Sequence, residues 1–279
     1  MDYINLIESY MNKKVEVYSH IDSWRDFDVY IVDNIVFRFP RTEEKRISMK
    51  REKDMLDRIR SYITLPIPNY EIVNDIYMVC SMISWIHLPE KIEVYTDLIV
   101  TQIVWFLREL HSIPIAIVTD NNDIPEDRNA LLEFVEKIKV NLEMRVRHLL
   151  TDEEWGLMKK YIEDLFLKYV SIHTALVHTD LQGKNIIYDP DKQIISWIID
   201  FTDARVWSIE LDFCHFLDVG ESILWKFIEK YRWFHDDDFF ERVFFLARRN
   251  LIFEINNNIF SKENESELIR KLKKYKFIS

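Results

Sequence analysis

The chain has 279 residues, 48% of them hydrophobic and 14% aromatic, which suffices for one large buried core or two modest ones and excludes disorder as the main state. Its 37 Lys+Arg against 48 Asp+Glu give a net charge of -11, which argues against nucleic acid as a partner and favours cationic ligands. Cys80 and Cys214 sit in no CxxC pattern, so nothing supports a disulfide framework or a thiolate zinc site, and no apolar run reaches the ~18–20 residues of a membrane helix.

In chain order, Met1 to Asn5 carry no basic leader, so a soluble cytoplasmic chain with no membrane contact is expected. Val15 to Tyr18, Asp28 to Val32 and Ile35 to Phe39 read as strands, the last two joined by the two-residue turn Asp33-Asn34. From Glu43 to Arg60, Met49, Met55, Leu56 and Ile59 recur at helical spacing, and Leu65-Pro66-Ile67-Pro68 ends the run. A strand over Ile76 to Met82 precedes helices over Thr96 to His111, Arg128 to Leu150 and Thr151 to Tyr169, the last opened by the capping box Thr151-x-x-Glu154. Ala175 to Val177, Asn185 to Tyr188 and Ile194 to Ile199 are short β-like runs, with the turn Asp189 to Lys192 between the last two. Helical periodicity then returns to a basic end at Arg270, Lys271, Lys273, Lys274 and Lys276.

The glycine count bears on chemistry. Gly156, Gly183 and Gly220 are the whole complement, so there is neither a GxGxxG nor a GxxxxGK loop, and phosphate binding needs another device. The informative stretch is His178-Thr179-Asp180-Leu181-Gln182-Gly183-Lys184-Asn185, followed by Ile198-Ile199-Asp200-Phe201. Asp180, Asn185 and Asp200 lie at the edges of three apolar runs, so folding those runs side by side gathers their oxygens at one end of a small sheet. Asn185 and Asp200 suit Mg²⁺, which takes one or two carboxylates plus substrate phosphates and keeps several waters. Asp180, left over, suits proton acceptance from a hydroxyl, and the division matches what phosphoryl transfer needs. Upstream, Arg38 lies on the strand face opposite Ile35, Phe37 and Phe39, while Glu52 shares the helical stripe of Met55, Leu56 and Ile59. Each charge then needs a partner, and an ion pair satisfies both.

The HxDxxxxN pattern with an apolar strand and Ile-Ile-Asp-Phe after it resembles the protein-kinase-like small-molecule kinases, in particular the aminoglycoside phosphotransferases and the closely similar macrolide phosphotransferases. The likeness runs through the hairpin, the Phe37-Arg38-Phe39-Pro40 and Arg51-Glu52-Lys53 segments, Leu65-Pro66-Ile67-Pro68, Leu107 to His111 and Asp212-Phe213. It implies an α+β, bilobal, kinase-like fold: an antiparallel sheet with one helix over 1–83 and a larger, mainly helical lobe over 84–279. It also implies Mg²⁺ with ATP or GTP as donor, Arg38 and Glu52 as a phosphate clamp, and backbone groups of Ser81, Met82 and Ile83 at the purine edge. Ser23 to Tyr30 looks like the family's nucleotide-covering loop. Four positions depart from the family's usual glycine: Ser23, Trp85, Thr179 and Thr202.

The acceptor implied is a hydroxyl-rich antibiotic, foremost an aminoglycoside, whose phosphorylation confers resistance. Such polycations call for acids, and Asp203, Asp236, Asp237, Asp238, Glu241 and Glu254 are the candidates. A macrolide kinase is the nearest rival, since the Trp and Phe residues suit an apolar pocket equally. A nucleotide-binding protein without catalysis is the third reading, and a monomer is expected in each case.

Overall fold

The computed structural model describes residues 3–21, 26–81, 86–118, 128–168, 173–232, 236–256 and 265–278. They pack as two compact units, the first from residues up to 118 together with 178–205, the second from the rest. Among them no helix is long and apolar enough to cross a membrane.

The first unit opens with α1 (Tyr3–Met11), followed by β1 (Ser19–Ile21), β2 (Phe27–Val32), β3 (Ile35–Pro40), α2 (Glu43–Ile59), β4 (Glu71–Val73) and β5 (Tyr77–Ser81). The strands form one sheet in the order β1-β2-β3-β5-β4 with every neighbouring pair antiparallel. Asp33 and Asn34 close the β2–β3 hairpin with φ of 48° and 64°, the pair of left-handed residues that matches the twist of the flanking strands. Phe37 and Phe39 pack on one sheet face with Val32, Tyr77, Val79 and Ile7 of α1. Arg38, between them, points to the opposite face, as strand alternation requires. Thr42 caps α2 by accepting from the Lys45 amide, and the buried stripe Met49, Glu52, Met55, Leu56 and Ile59 sits where helical periodicity places it. The unit continues with α3 (Asp97–His111) and, from 178 onward, with β7 (Ile186–Asp189) and β8 (Ile194–Ile198), an antiparallel hairpin.

The short strands β1 and β4, and a strand over Arg205–Ser208, add to the sequence reading, and two further segments differ from it. Residues 15–18 are not a strand: Val15 packs against the core, but Val17, two positions on, is 82% exposed and Tyr18 48%, so the run shares no buried face. The Val15 amide donates to the Glu8 carboxylate at 2.9 Å instead of to a ladder. Helix α1 was not anticipated, because nine residues are too few to signal or sustain a helix alone; burial of Ile7 and the stacking of Tyr3 on Phe39 at 4.4 Å hold it.

The second unit holds α4 (Arg128–Val146), α5 (Asp152–Glu163) with a π-helical turn after it, β6 (Thr174–Val177), β9 (Arg205–Ser208), α6 (Phe216–Val219), α7 (Glu221–Tyr231), α8 (Phe239–Asn256) and α9 (Glu265–Lys274). The Thr151/Glu154 capping box opens α5 as read from sequence. Strands β6 and β9 pair, and Phe213 packs edge-on against Tyr231 and Phe239, with centroids 5.0 and 5.3 Å away.

Both cysteines are free thiols. Burial pushes the Cys80 thiol up to about 11 and Cys214 well above its ordinary range. For Cys80 this lowers the thiolate fraction at neutral pH by about 100-fold. Native protein treated with a thiol reagent at pH 7 is therefore expected to label at least that much more slowly than the same protein in denaturant. Comparable rates in the two states would show that the cysteines are open to solvent.

Candidate active site

His178 opens the loop that carries Asp180. It is fully buried, its Nε2 donates to the Ile199 carbonyl at 3.0 Å, and its Nδ1 accepts from the Asp180 amide at 3.4 Å. The ring therefore fixes the Asp180 backbone and ties it to the segment before Asp200. Thr179 takes φ 69°, a left-handed conformation that costs a β-branched residue roughly 1–2 kcal/mol, and its Oγ1 donates to the Asp203 carbonyl at 3.2 Å. Gly183 is required by close approach: a Cβ there would lie 2.3 Å from the Leu88 carbonyl oxygen.

The Asp180 carboxylate is held from several directions. Gln182 Nε2 donates to Oδ1, Asn185 Nδ2 donates to Oδ2 at 2.8 Å, and Lys184 Nζ lies 3.3 Å from Oδ2. Its side chain remains 28% exposed, enough to meet a hydroxyl from solvent. Asn185 is buried, and its amide NH₂ also donates to the Asp180 carbonyl at 2.8 Å. Both amide protons are thus spent on Asp180, and Oδ1 of Asn185 accepts no hydrogen bond from the described residues.

The β7–β8 hairpin brings Asn185 and Asp200 to one end. Ile186 stands opposite Ile198, and the Ile199 amide donates to the Asn185 carbonyl at 2.9 Å. Asp200 then turns the chain at φ 65°. A carboxylate and an amide oxygen of this kind fit Mg²⁺, a hard cation that completes its shell with phosphates and water. Among the described residues no three His, Cys, Asp or Glu side chains cluster as a metal cage, which this ion does not require.

Arg38 and Glu52 meet, at 3.5 Å between NH1 and Oε2, with side chains 3% and 0% exposed. Sequence reasoning missed the third member, Tyr70, whose hydroxyl accepts from Arg38 NH1 at 2.7 Å while the Phe27 and Tyr70 rings flank the guanidinium. No spacing pattern marks Tyr70, since it lies in the irregular segment after Pro68. Burial opposes the Arg38 charge, but Tyr70, Glu52 and Asp200 outweigh it and raise its pKa. Burial likewise lifts the Glu52 carboxyl above the usual carboxylate range, against the pull of Arg38. Glu52 also accepts from the Phe201 amide at 3.2 Å and the Thr202 hydroxyl at 2.9 Å, so the pair reaches the segment that carries Asp200. A second cation near this segment, Lys45, pairs with Asp26 at 2.8 Å.

The other candidates fall in different places. Ser81 ends β5 exposed, whereas Met82, Ile83, Trp85 and Ser23 to Arg25 lie outside the described residues. Asp203 is exposed, with no ion-pair partner for its carboxylate among the described residues. In the second unit, Asp236 pairs with Arg242 at 2.7 Å, and the same guanidinium pairs with the buried Glu210 at 2.6 Å. Arg242 holds the Asp236 carboxyl below its ordinary range. Glu254 pairs with Lys271 at 2.6 Å. Asp237, Asp238 and Glu241 are exposed and unpaired by any cation among the described residues.

Residues 18–238 match the profile of the phosphotransferase enzyme family. Among solved structures, the GDP and kanamycin complex of APH(2")-IIIa superposes with a TM-score of 0.77 at 17% identity, covering 98% of each chain. The ADP-bound aminoglycoside phosphotransferase APH(2'')-Ib gives 0.69 at 20% identity, over 98% of this chain and 97% of that one. A macrolide 2'-phosphotransferase type I gives 0.69 at 16% identity, over 96% and 94%. Among proteins of curated function no sequence match is found. At these identities the likeness is one of fold, and it agrees with the kinase-like α+β architecture expected from sequence.

Proposed function

The chain belongs to the phosphotransferase enzyme family, and from that premise we propose that it transfers the γ-phosphoryl group of ATP or GTP to a hydroxyl of an aminoglycoside. The observation that supports this reading is the connection of these groups: Asn185 bonds Asp180, its carbonyl accepts from the Ile199 amide just before Asp200, and Glu52 of the buried Arg38 pair accepts from the Phe201 amide and Thr202 hydroxyl just after it. Asp180 accepts the proton of the attacking hydroxyl, oriented for it by Gln182, Asn185 and Lys184. Asn185 and Asp200 hold Mg²⁺, which supplies charge neutralisation on the phosphates when bound. Arg38, kept in place by Glu52 and Tyr70, carries the positive charge of the phosphate clamp, and the family resemblance assigns the segment that begins with Ser81 to the base.

The acceptor assignment rests on charge. The net charge of -11 and the exposed carboxylates of Asp203, Asp237 and Glu241 suit ammonium groups. Asp236 and Glu254 contribute less by this argument, being already matched to Arg242 and Lys271. Exposed pairs are screened beyond a Debye length of ~8 Å at physiological ionic strength. Raising salt to about 0.5 M is therefore expected to weaken aminoglycoside binding roughly tenfold, whereas a macrolide with its large apolar ring binds with little salt dependence.

The test is phosphoryl transfer by purified protein with Mg-ATP and Mg-GTP against a panel of both antibiotic classes, with calorimetric titration at low and high salt. Transfer to an aminoglycoside with salt-sensitive binding is the expected result. Transfer to macrolides alone, without salt dependence, overturns the acceptor and leaves the kinase reading in place.

A further inference from the structure

Thr202 stands third in Asp200-Phe201-Thr202, where the family resemblance leads one to expect glycine. Its hydroxyl fills that place with a specific connection. Oγ1 lies 2.9 Å from Glu52 Oε2 and 3.0 Å from Asp200 Oδ1, so one half-buried hydroxyl stands between two carboxylates. A hydroxyl has a single proton to donate and therefore serves one carboxylate at a time. Glu52 belongs to the Arg38 clamp, and Asp200 is the carboxylate assigned to the metal. The four side chains Arg38, Glu52, Thr202 and Asp200 thus form one unbroken chain of polar contacts.

We propose that Thr202 is a positioning residue that couples the metal site to the phosphate clamp. This inference rests on the reading of Asp200 as a Mg²⁺ ligand. When a cation meets the charge of Asp200, Glu52 remains as the acceptor that needs the Thr202 proton. The hydroxyl then strengthens the hold on Glu52, and through it on Arg38, when a metal-bound nucleotide has to be gripped. Without the cation the proton is divided between the two carboxylates, and the clamp is held less firmly. The hydroxyl also fixes the Asp200 carboxylate before the ion arrives. Hydrogen-bonding partners of metal ligands typically govern affinity by 10- to 100-fold.

The readout is the factor by which Mg²⁺ raises nucleotide affinity, measured by calorimetry with ATP and GTP in the presence of the ion and in chelator. Thr202→Val keeps the side-chain shape and removes the hydroxyl; Thr202→Ser restores it. The Mg²⁺-dependent gain is expected to fall at least tenfold in Thr202→Val and to return to within about threefold of wild type in Thr202→Ser. Metal-free affinity should fall in Thr202→Val by a smaller factor than the Mg²⁺-dependent gain, and cooperative denaturant unfolding of each variant reports that it is folded.

An unchanged gain in Thr202→Val overturns the coupling while wild-type Mg-nucleotide binding keeps the kinase reading. A loss in Thr202→Ser as deep as in Thr202→Val overturns it too, since the hydroxyl would then not be the cause. Wild-type protein that binds no nucleotide with Mg²⁺ removes the kinase reading and the coupling together.

Discussion

Asp180→Ala is expected to lower the rate of phosphoryl transfer by about 10³-fold, within the 10²- to 10⁴-fold that a positioned general base supplies. Mg-nucleotide affinity should stay within about twofold of wild type, because this carboxylate is assigned to the acceptor hydroxyl and not to the nucleotide. The fold has little reason to fail. Asn185 keeps its bond to the residue-180 carbonyl, and His178 still accepts from the residue-180 amide. Turnover assays and nucleotide titration on the same preparation separate the two effects. Turnover within tenfold of wild type would remove Asp180 from the reaction, and lost nucleotide binding would move it to the other side of the site.

The second large effect concerns the buried pair. Arg38→Ala and Glu52→Ala each leave an uncompensated charge in the core, and breaking a buried pair costs about 3–5 kcal/mol. The double variant is expected to lose less than the sum of the singles by about 1–3 kcal/mol, since residues in one network are coupled. Denaturant unfolding of the four proteins measures this, and strict additivity would mean that the pair contributes no mutual energy. The pH dependence has a definite sign. In Arg38→Ala the guanidinium that lowers the Glu52 pKa is gone, while burial, its largest shift, still raises it. A carboxyl raised in the folded state adds stability below its unfolded pKa, near 4.3, and loses it as pH rises through the folded value. The deficit of Arg38→Ala against wild type should therefore be larger at pH 8 than at pH 5. A deficit that shrinks with rising pH would contradict burial as the dominant cause.

Both predictions use residues that stand out in the sequence, and the reason is that their placement is short-range. The two positive-φ residues Asp33 and Asn34 mark the β2–β3 turn. The 3.6-residue repeat places Glu52 in the same stripe as Met55 and Ile59, and strand alternation turns Arg38 away from Phe37 and Phe39. The spacing from His178 to Asn185, with a hairpin before Asp200, brings Asn185 and Asp200 together because pairing the two apolar runs sets Ile186 opposite Ile198 at the end that carries both residues. These features are fixed by neighbours within a few residues, so a single chain displays them.

The tertiary structure decided which partners those residues found. Tyr70 reaches Arg38 across 32 positions of the chain, and Thr202 and the Phe201 amide reach Glu52 across 150 and 149. No local pattern encodes such distances, because the partner is selected by which buried polar groups packing leaves to be satisfied. The same holds for Glu254, whose matching to Lys271 depends on how α8 and α9 pack, whereas Asp236 meets Arg242 only six residues along, at the start of α8. It holds also for residues 3–21, where Ile7 and Tyr3 make a short segment helical by giving it a face to bury, and Val17, with none, stays outside the sheet. Sequence alone determined the turn, the stripes, the order of Asp180, Asn185 and Asp200 and the mutual need of Arg38 and Glu52; only the packed chain decided which further groups complete their satisfaction, since burying a charge is favourable only where enough partners surround it.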